Sequence, residues 1–352
     1  MPISNQLTSP LGPRFHFVNV LPASLLVGVI LLITGSGGLT GTGPSLNRLS
    51  RSAGDFGLVN ASLVALAIAL LSVLANSFQG QLTKLLEGYW KPCMVGRALL
   101  RYGYRRHAAL RNRYRNLLLE PLEDTPGAED QIYDHIDAAP LCSPFGRVEL
   151  DTAESEYVER AREAWVEDRL AVYPPLPEEG KADRLMPTRL GNALRRSEDL
   201  AGDRYGIDAI VAVPYLLAVA SAAVVSMVED ARQELDALVQ FVAVCLLSSV
   251  LCAVSYHDDG PWFTISISLF LLACAFYSAS VRAAIDYGER LIELVDLHRF
   301  DLLQALHMKL PAAEGFERDT HESAWRIIRE GPSAESGVAY EHPGDGHPDP
   351  GK

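Results

Sequence analysis

The stretch that decides the fold is ALVQFVAVCLLSSVLCAVSYHDDGPWFTISISLFLLACAFYSASV, residues 237–281. It holds two uncharged runs, Ala237–Tyr256 and Trp262–Val281, joined by a short polar turn with Asp258, Asp259, Gly260 and Pro261. Each run is about 20 residues, or about 30 Å as a helix at 1.5 Å per residue, the thickness of a bilayer's hydrocarbon core. Lipid offers no partner to a free backbone N–H or C=O, so such runs cross it as helices. The quoted stretch therefore reads as a transmembrane hairpin.

Working outward, a second pair of runs lies near the start of the chain. Phe17–Thr34 is apolar and interrupted by Pro22, and Leu58–Phe78 sits inside an uncharged stretch from Phe56 to Thr83. Arg14 precedes the first run, as in a secretory leader. The run is longer than a leader's apolar core, and no small-residue cleavage pattern follows it, so an uncleaved signal-anchor helix is expected. A fifth uncharged run, Ala209–Val228, contains Pro214 and is rich in Ala and Ser. It reads as a buried or interfacial helix, with a fifth span, which would place the tail outside, as the alternative. The expected fold is all-α: a polytopic membrane protein with two transmembrane helical hairpins and a helical cytoplasmic domain. Its parts are an N-terminal hairpin (1–78), a cytoplasmic helical region (79–236), a second hairpin (237–281), cytoplasmic amphipathic helices (282–330) and a disordered tail (331–352).

Charge sets the expected orientation. The 352 residues carry 31 Lys+Arg against 44 Asp+Glu, a net of −13. That balance is local: residues 120–183 alone hold 18 acidic and 5 basic side chains, so the rest of the chain sums to zero. Directly after the Leu58–Phe78 run, residues 84–119 carry Lys84, Lys91, Arg97, Arg101, Arg105, Arg106, Arg111, Arg113 and Arg115 against Glu87 alone. Basic residues flanking spans stay in the cytoplasm. This places residues 79–236 inside, the Gly-rich loop 35–57 outside, and both ends of the chain in the cytoplasm. An inner-membrane location is expected.

The cytoplasmic part reads as helices with irregular links. Leu82, Leu85, Leu86, Tyr89 and Trp90 continue the second run at helical spacing, with Tyr89 and Trp90 as interfacial anchors. A basic helix spans Gly96–Leu119; its seven cations, with Lys84 and Lys91 before it, are expected to contact anionic lipid, at about 1 kcal/mol each near the surface. Nucleic acid is not expected as a partner. The 120–183 segment is acidic and Pro-rich, with a helix over Thr152–Val172. Thr188 is the expected N-cap of the next helix and Gly206 its left-handed stop. An amphipathic helix is expected over Val281–Leu310, striped with Ile285, Ile292, Val295, Leu302 and Leu306, and a short helix over His321–Arg329.

Three strings carry a family likeness: LLEGYW at Leu85–Trp90, TRLGNALRRSEDLAGDRYGIDA at Thr188–Ala209, and DLHRFDLLQALH at Asp296–His307. Together they resemble multi-pass membrane proteins of uncharacterised function that are common in actinobacteria, over most of residues 57–310. In that family the stretch after RYGIDA does not span, and often reads Trp-Pro-Arg where this chain has Val213, Pro214 and Tyr215. The resemblance implies location and topology, and no activity.

The four spans hold no Asp, Glu, Lys, Arg or His, which argues against a proton-coupled transporter or a voltage sensor. Their polar residues are mild, including Asn60, Asn76, Gln240, Ser248, Ser249 and Ser266, so an oligomeric pore or transport component stands as the alternative function. Ala61, Ala65 and Ala69 share one face of the second span and are expected to pack against another helix. The Gly-rich loop lacks the G-K-[ST] of a phosphate cradle. His298 and His307 lie nine apart on one helix and point to opposite faces; His298 can pair locally with Asp301 or Glu293. The cysteines form no C-x-x-C pair, and Cys245 and Cys252 read as buried small hydrophobes. No catalytic motif, cofactor or metal is expected. Two charged clusters suggest a contact between cytoplasmic helices: Arg195, Arg196, Asp199 and Arg204, and Asp296, Arg299 and Asp301. The expected role is non-enzymatic scaffolding or signalling, with the lipid bilayer, a cytoplasmic protein and a second copy of the chain as partners.

Overall fold

The computed structural model describes residues 20–38, 43–91, 93–119, 152–176 and 183–331. The expectations for 1–19, 120–151 and the tail 332–352 lie outside the described residues. In chain order the helices are α1 (Leu21–Ser36), α2 (Leu46–Gly54), α3 (Leu58–Glu87), α4 (Met94–Leu119), α5 (Thr152–Leu170), α6 (Arg189–Gly202), α7 (Ala209–Val219), α8 (Ala222–Ser255), α9 (Gly260–Ala305) and α10 (Glu317–Glu330). Among the described residues no extended strand forms. Three helices, α3, α8 and α9, are long and apolar enough to cross a membrane, and α1 is a shorter apolar helix of 16 residues.

The α8–α9 pair is the spine. On α8 the buried residues Leu235, Val239, Val242, Cys245, Ser249, Cys252 and Tyr256 recur every three or four positions. On α9 the buried residues include Ser266, Ala273, Ser280, Ala284, Gly288, Leu291, Val295 and Leu302. In the apolar half the two helices meet through the stacked rings of Phe241 and Phe276, 4.8 Å apart, and are fastened by hydroxyls. Ser249 Oγ donates to the Ser266 carbonyl at 2.9 Å, and Ser266 Oγ donates to the Ser249 carbonyl at 2.8 Å. In the charged half Val228 of α8 shares a buried cluster with Leu291, Leu294 and Val295 of α9. Cys245 and Cys252 are fully buried in the seam, as their sequence context suggested.

The other apolar helices lean on this spine. Ser36 Oγ and Tyr256 Oη lie 2.9 Å apart, joining the C-terminal end of α1 to the turn of the hairpin. Trp262 covers Tyr256 at 5.4 Å. At the opposite end of the apolar layer, Gln240 Nε2 donates to Gln79 Oε1 at 3.4 Å and links α8 to α3. The outer surface of α3 is bare: Leu58 is 90% and Leu70 64% exposed. Ala61, Ala65 and Ala69 lie on this exposed surface. Their expected packing against another helix is corrected for the single chain, because α1 and α8 take other faces of α3.

The uncharged run 209–228 is not one helix. Ala220 (φ −68°, ψ 156°) and Ser221 (φ −64°, ψ 147°) are extended and separate α7 from α8. Ser221 accepts a hydrogen bond from the Val224 N–H, capping α8. The 11 residues of α7 make only about 16 Å of helix, too short to span. Instead Ala212 and Leu216 are wholly buried with Leu291, Leu294, Val295 and Trp325. The fourth apolar run and the amphipathic helix after it are one continuous element of 46 residues. It stops at Ala305, before the expected Leu310, because the chain turns through His307 at φ 55°.

Helix α6 crosses α9 at a contact with no spare room. Ser197 Oγ donates to the Ala284 carbonyl at 3.3 Å. A Cβ at Gly288 would lie 2.0 Å from Ser197 Oγ and 3.2 Å from its Cα. Gly288→Ala should therefore destabilise the protein by about 1–3 kcal/mol through overpacking, despite the roughly 1 kcal/mol that alanine gains in a helix. Gly80→Ala, which meets nothing within 4 Å, should be neutral or stabilising. Denaturation of the purified variants in detergent would check the opposite signs.

Candidate interaction site where the apolar helices end

Helix α3 ends where α6 begins, and the two termini are locked together. Gly88 adopts φ 100°, and its N–H bonds the Leu85 carbonyl. Thr188 Oγ1 donates to the Glu87 carbonyl at 2.8 Å and accepts from the Gly191 N–H at 3.0 Å, so Thr188 is the N-cap that its sequence position indicated. Asn192 is fully buried; its amide donates to the Met186 and Thr188 carbonyls at 2.9 and 2.7 Å. At Gly191 a Cβ would meet the Glu87 carbonyl at 2.2 Å. Gly88 is thus required by its left-handed backbone, and Gly191 by the close approach of the Glu87 carbonyl, which leaves no room for a Cβ.

A layer of charge surrounds this junction. Arg195 donates to Tyr89 Oη at 3.0 Å and pairs with Glu198 at 3.1 Å. Arg184 pairs with the buried Asp199. Arg232 pairs with Asp236 at 3.3 Å and lies 5.5 Å from the Tyr287 ring centre. Burial pushes the Glu198 carboxyl up, against the pull of Arg195 and Arg184. Glu87, nine residues beyond Phe78, is raised by burial in the same way and opposed by Arg232, Arg195 and Lys84. The charges therefore hold helix ends together in a half-buried web. Lys84, Arg184, Arg232 and Asp236 joined it without a sequence prediction of that role; the i,i+4 spacing of Arg232 and Asp236 was the one available signal.

Helix α4 is moored by its inner face to the segment before α6. Gly103 lies so close to Pro187 that a Cβ would sit 2.3 Å from its carbonyl. His107 Nδ1 is 3.1 Å from Tyr173 Oη, and Arg111 makes a two-bond ion pair with Asp183. Arg111 is buried, with a side chain only 8% exposed. Its expected membrane contact is therefore corrected: the guanidinium is spent inside the protein. Burial lowers the His107 pKa to about 4, helped by Arg106 and Arg189, and raises Tyr173 to about 12. The hydrogen bond from Arg111 holds Asp183 below the usual carboxylate range. Further along, Tyr114 packs edge-on to Trp165 of α5 at 5.8 Å. Of the other predicted surface cations, Lys84, Lys91, Arg97, Arg101, Arg105, Arg106 and Arg115 are exposed, and Arg113 is half-buried.

The two charged clusters meet only in part. Arg204 reaches Asp296 at 3.8 Å, and Tyr205 Oη donates to the same carboxylate at 2.7 Å. Arg299 turns the other way: it lies 4.4 Å from the ring centres of Tyr205 and Phe300 and pairs with Glu317 of α10. Asp301 pairs locally with His298 at 2.8 Å, as expected. Arg196 is partly buried, which lowers its pKa against the attraction of Glu289 on α9. Arg204, Tyr205, Arg299, Phe300, Glu314 and Arg318 border an open cleft of about 550 Å³. Its arginines each have a carboxylate close by, so the cleft has no surplus of positive charge. Among the described residues, no three His, Cys, Asp or Glu side chains gather in a way that could hold a metal ion.

No protein-family model, curated protein or solved structure matches the chain.

Two measurements test the mooring of α4. Arg111→Gln strands Asp183 and should cost about 2 kcal/mol, below the value for a fully buried pair because Asp183 is partly exposed. Arg101→Gln on the exposed face should stay within about 0.5 kcal/mol of the parent. For His107 the folded-state pKa of about 4 lies below the ordinary 6.5. The unfolded chain therefore binds more protons between those values, and stability falls as pH drops from 6.5 toward 4. His107→Gln should flatten the thermal midpoint across that window.

Proposed function

We propose that this chain is an integral inner-membrane protein with a non-enzymatic scaffolding or signalling role, exerted through a cytoplasmic body of helices. In this reading α1 with α3, and α8 with α9, form two transmembrane hairpins. The acidic turn at Asp258–Asp259 lies outside, and both ends of the chain lie in the cytoplasm. The observation that carries the proposal is the continuity of α8 and α9, which pass unbroken from the apolar layer into the charged half and bear α6, α7 and α10 there. A tilt or shift of the hairpin would be delivered directly to that body. The break at Ala220–Ser221 supports the even number of crossings, since α7 is too short to add one. The basic residues 84–119 support the orientation. The three strings at Leu85–Trp90, Thr188–Ala209 and Asp296–His307 agree with this placement through their family resemblance.

A second reading draws on one observation. The apolar part of α3 is almost uncovered, with Ala61, Ala65 and Ala69 on its open surface. Copies of the chain could assemble through this face and form a pore or transport component.

Reporter fusions at residue 232 and at the C-terminus should both report a cytoplasmic position. An external C-terminus would overturn the two-hairpin arrangement. A stable protein partner retained by the full chain in detergent would favour the scaffold, whereas conductance from the purified chain in liposomes would favour the pore.

A further inference from the structure

Helix α4 has two faces, and only one is occupied. Its inner face carries Gly96, Gly103, His107 and Arg111, all buried against the protein. The outer face of its first three turns is open and mixed in character. Met94 is 80%, Val95 64%, Leu99 48% and Tyr102 66% exposed. Interleaved with them are the exposed cations Arg97, Arg101, Arg105 and Arg106. Water is a poor environment for four large apolar side chains in such proximity, and no acid lies between Met94 and Leu119 to balance the arginines.

We infer that this outer face docks on the anionic phospholipid surface of the membrane that α3 crosses. The position of α4 supports this occupant over others. It begins seven residues after α3 ends, and Pro187 touches both Gly88, at the end of α3, and Gly103, in the middle of α4. The helix is thereby held beside the point where the chain leaves the apolar layer. Arginine stems lie along apolar surface while their guanidinium groups reach phosphates. Methionine, valine, leucine and tyrosine between them suit the boundary of headgroups and acyl chains. The mooring through His107 and Arg111 fixes the rotation of the helix, so that the mixed face is the one left outward. Docking of this kind gives the cytoplasmic body a fixed attitude to the membrane and makes that attitude depend on lipid charge. The inference rests on the orientation given under the proposed function.

The test uses the full chain in nanodiscs, with Cys93→Ser, Cys142→Ser and Cys274→Ser, and an environment-sensitive fluorophore on Ala98→Cys. A parallel sample carries the probe on Glu322→Cys in α10. In discs containing phosphatidylglycerol, the Ala98 probe should shift to the blue and be quenched by headgroup spin-labelled lipid. Both signals should be weaker in phosphatidylcholine discs and fall by roughly half or more in about 0.5 M salt. The variant with Arg97, Arg101, Arg105 and Arg106 changed to Gln should lose the lipid-charge dependence while keeping the parent's thermal midpoint. The Glu322 probe should respond to none of these changes. Equal signals in neutral and anionic discs would overturn the inference, as would a shift that appears only with rising protein concentration. If a reporter at residue 232 remains internal in either case, the topology stands and only the docking fails. An external reporter would remove both.

Discussion

The rest of the structure depends on the unbroken backbone hydrogen bonding of α8 and α9 as they pass from an apolar environment to a charged one. A helix that ended at the boundary would leave four carbonyls or four N–H groups without partners. By continuing, both helices defer their termini to places where water or capping groups are available. The seam between them changes composition at the same level. Serine and alanine hold it where there is no hydrophobic drive to association, and leucine and valine hold it where there is. Along α9 the buried stripe turns from α8 toward α6 and α7, from small residues to large ones.

Everything in the charged half is built on that stripe. Gly288 admits α6, the cluster around Leu291, Leu294 and Val295 admits α7, and Arg299 ties in α10. Helix α3 then joins the start of α6 through Thr188 and Glu87, so the apolar helices are linked below the apolar layer as well as within it. The half-buried ion pairs at this level add little net stability of their own once desolvation is counted. Their effect is on geometry: a carboxylate such as Glu198, raised by burial, tolerates few alternative positions away from Arg195 and Arg184. The charged web therefore fixes the relative placement of helix ends whose attraction comes mainly from apolar contacts.

Much of this was legible in the sequence. Long uncharged runs stood out because lipid demands uniformity over about 20 residues, and Thr188 announced the start of α6 by local chemistry; α6 itself stops at Gly202, and Gly206, at φ 69°, ends the short 3-10 turn that follows it. The run 209–228 was harder, since composition alone permits a span. The break at Ala220–Ser221 has one local signal, Ser221 as the N-cap of α8, and Ala212 and Leu216 are buried with α9 residues on its α7 side. Arg111 was misplaced for a related reason. Nine cations on a short segment looked alike in sequence, and only Asp183, 72 residues away, distinguishes one of them. The alanines of α3 met the requirement for close packing, but a small face records an opportunity and says nothing of whether the same chain fills it.

The contrast between Arg111 and its neighbours also shows how one helix can serve two environments. A cation every few residues on α4 would suffice to set topology, whatever its direction. The structure divides them by angle around the helix axis. Those facing Tyr173 and Asp183 are accompanied by glycine and histidine, which allow close approach. Those facing outward are accompanied by large apolar side chains that would be a liability in plain water. A helix serving only to hold positive charge inside would have no need of that second pattern. The pairing of arginine with exposed apolar surface on one side, and with buried partners on the other, is what gives α4 a definite inside and outside.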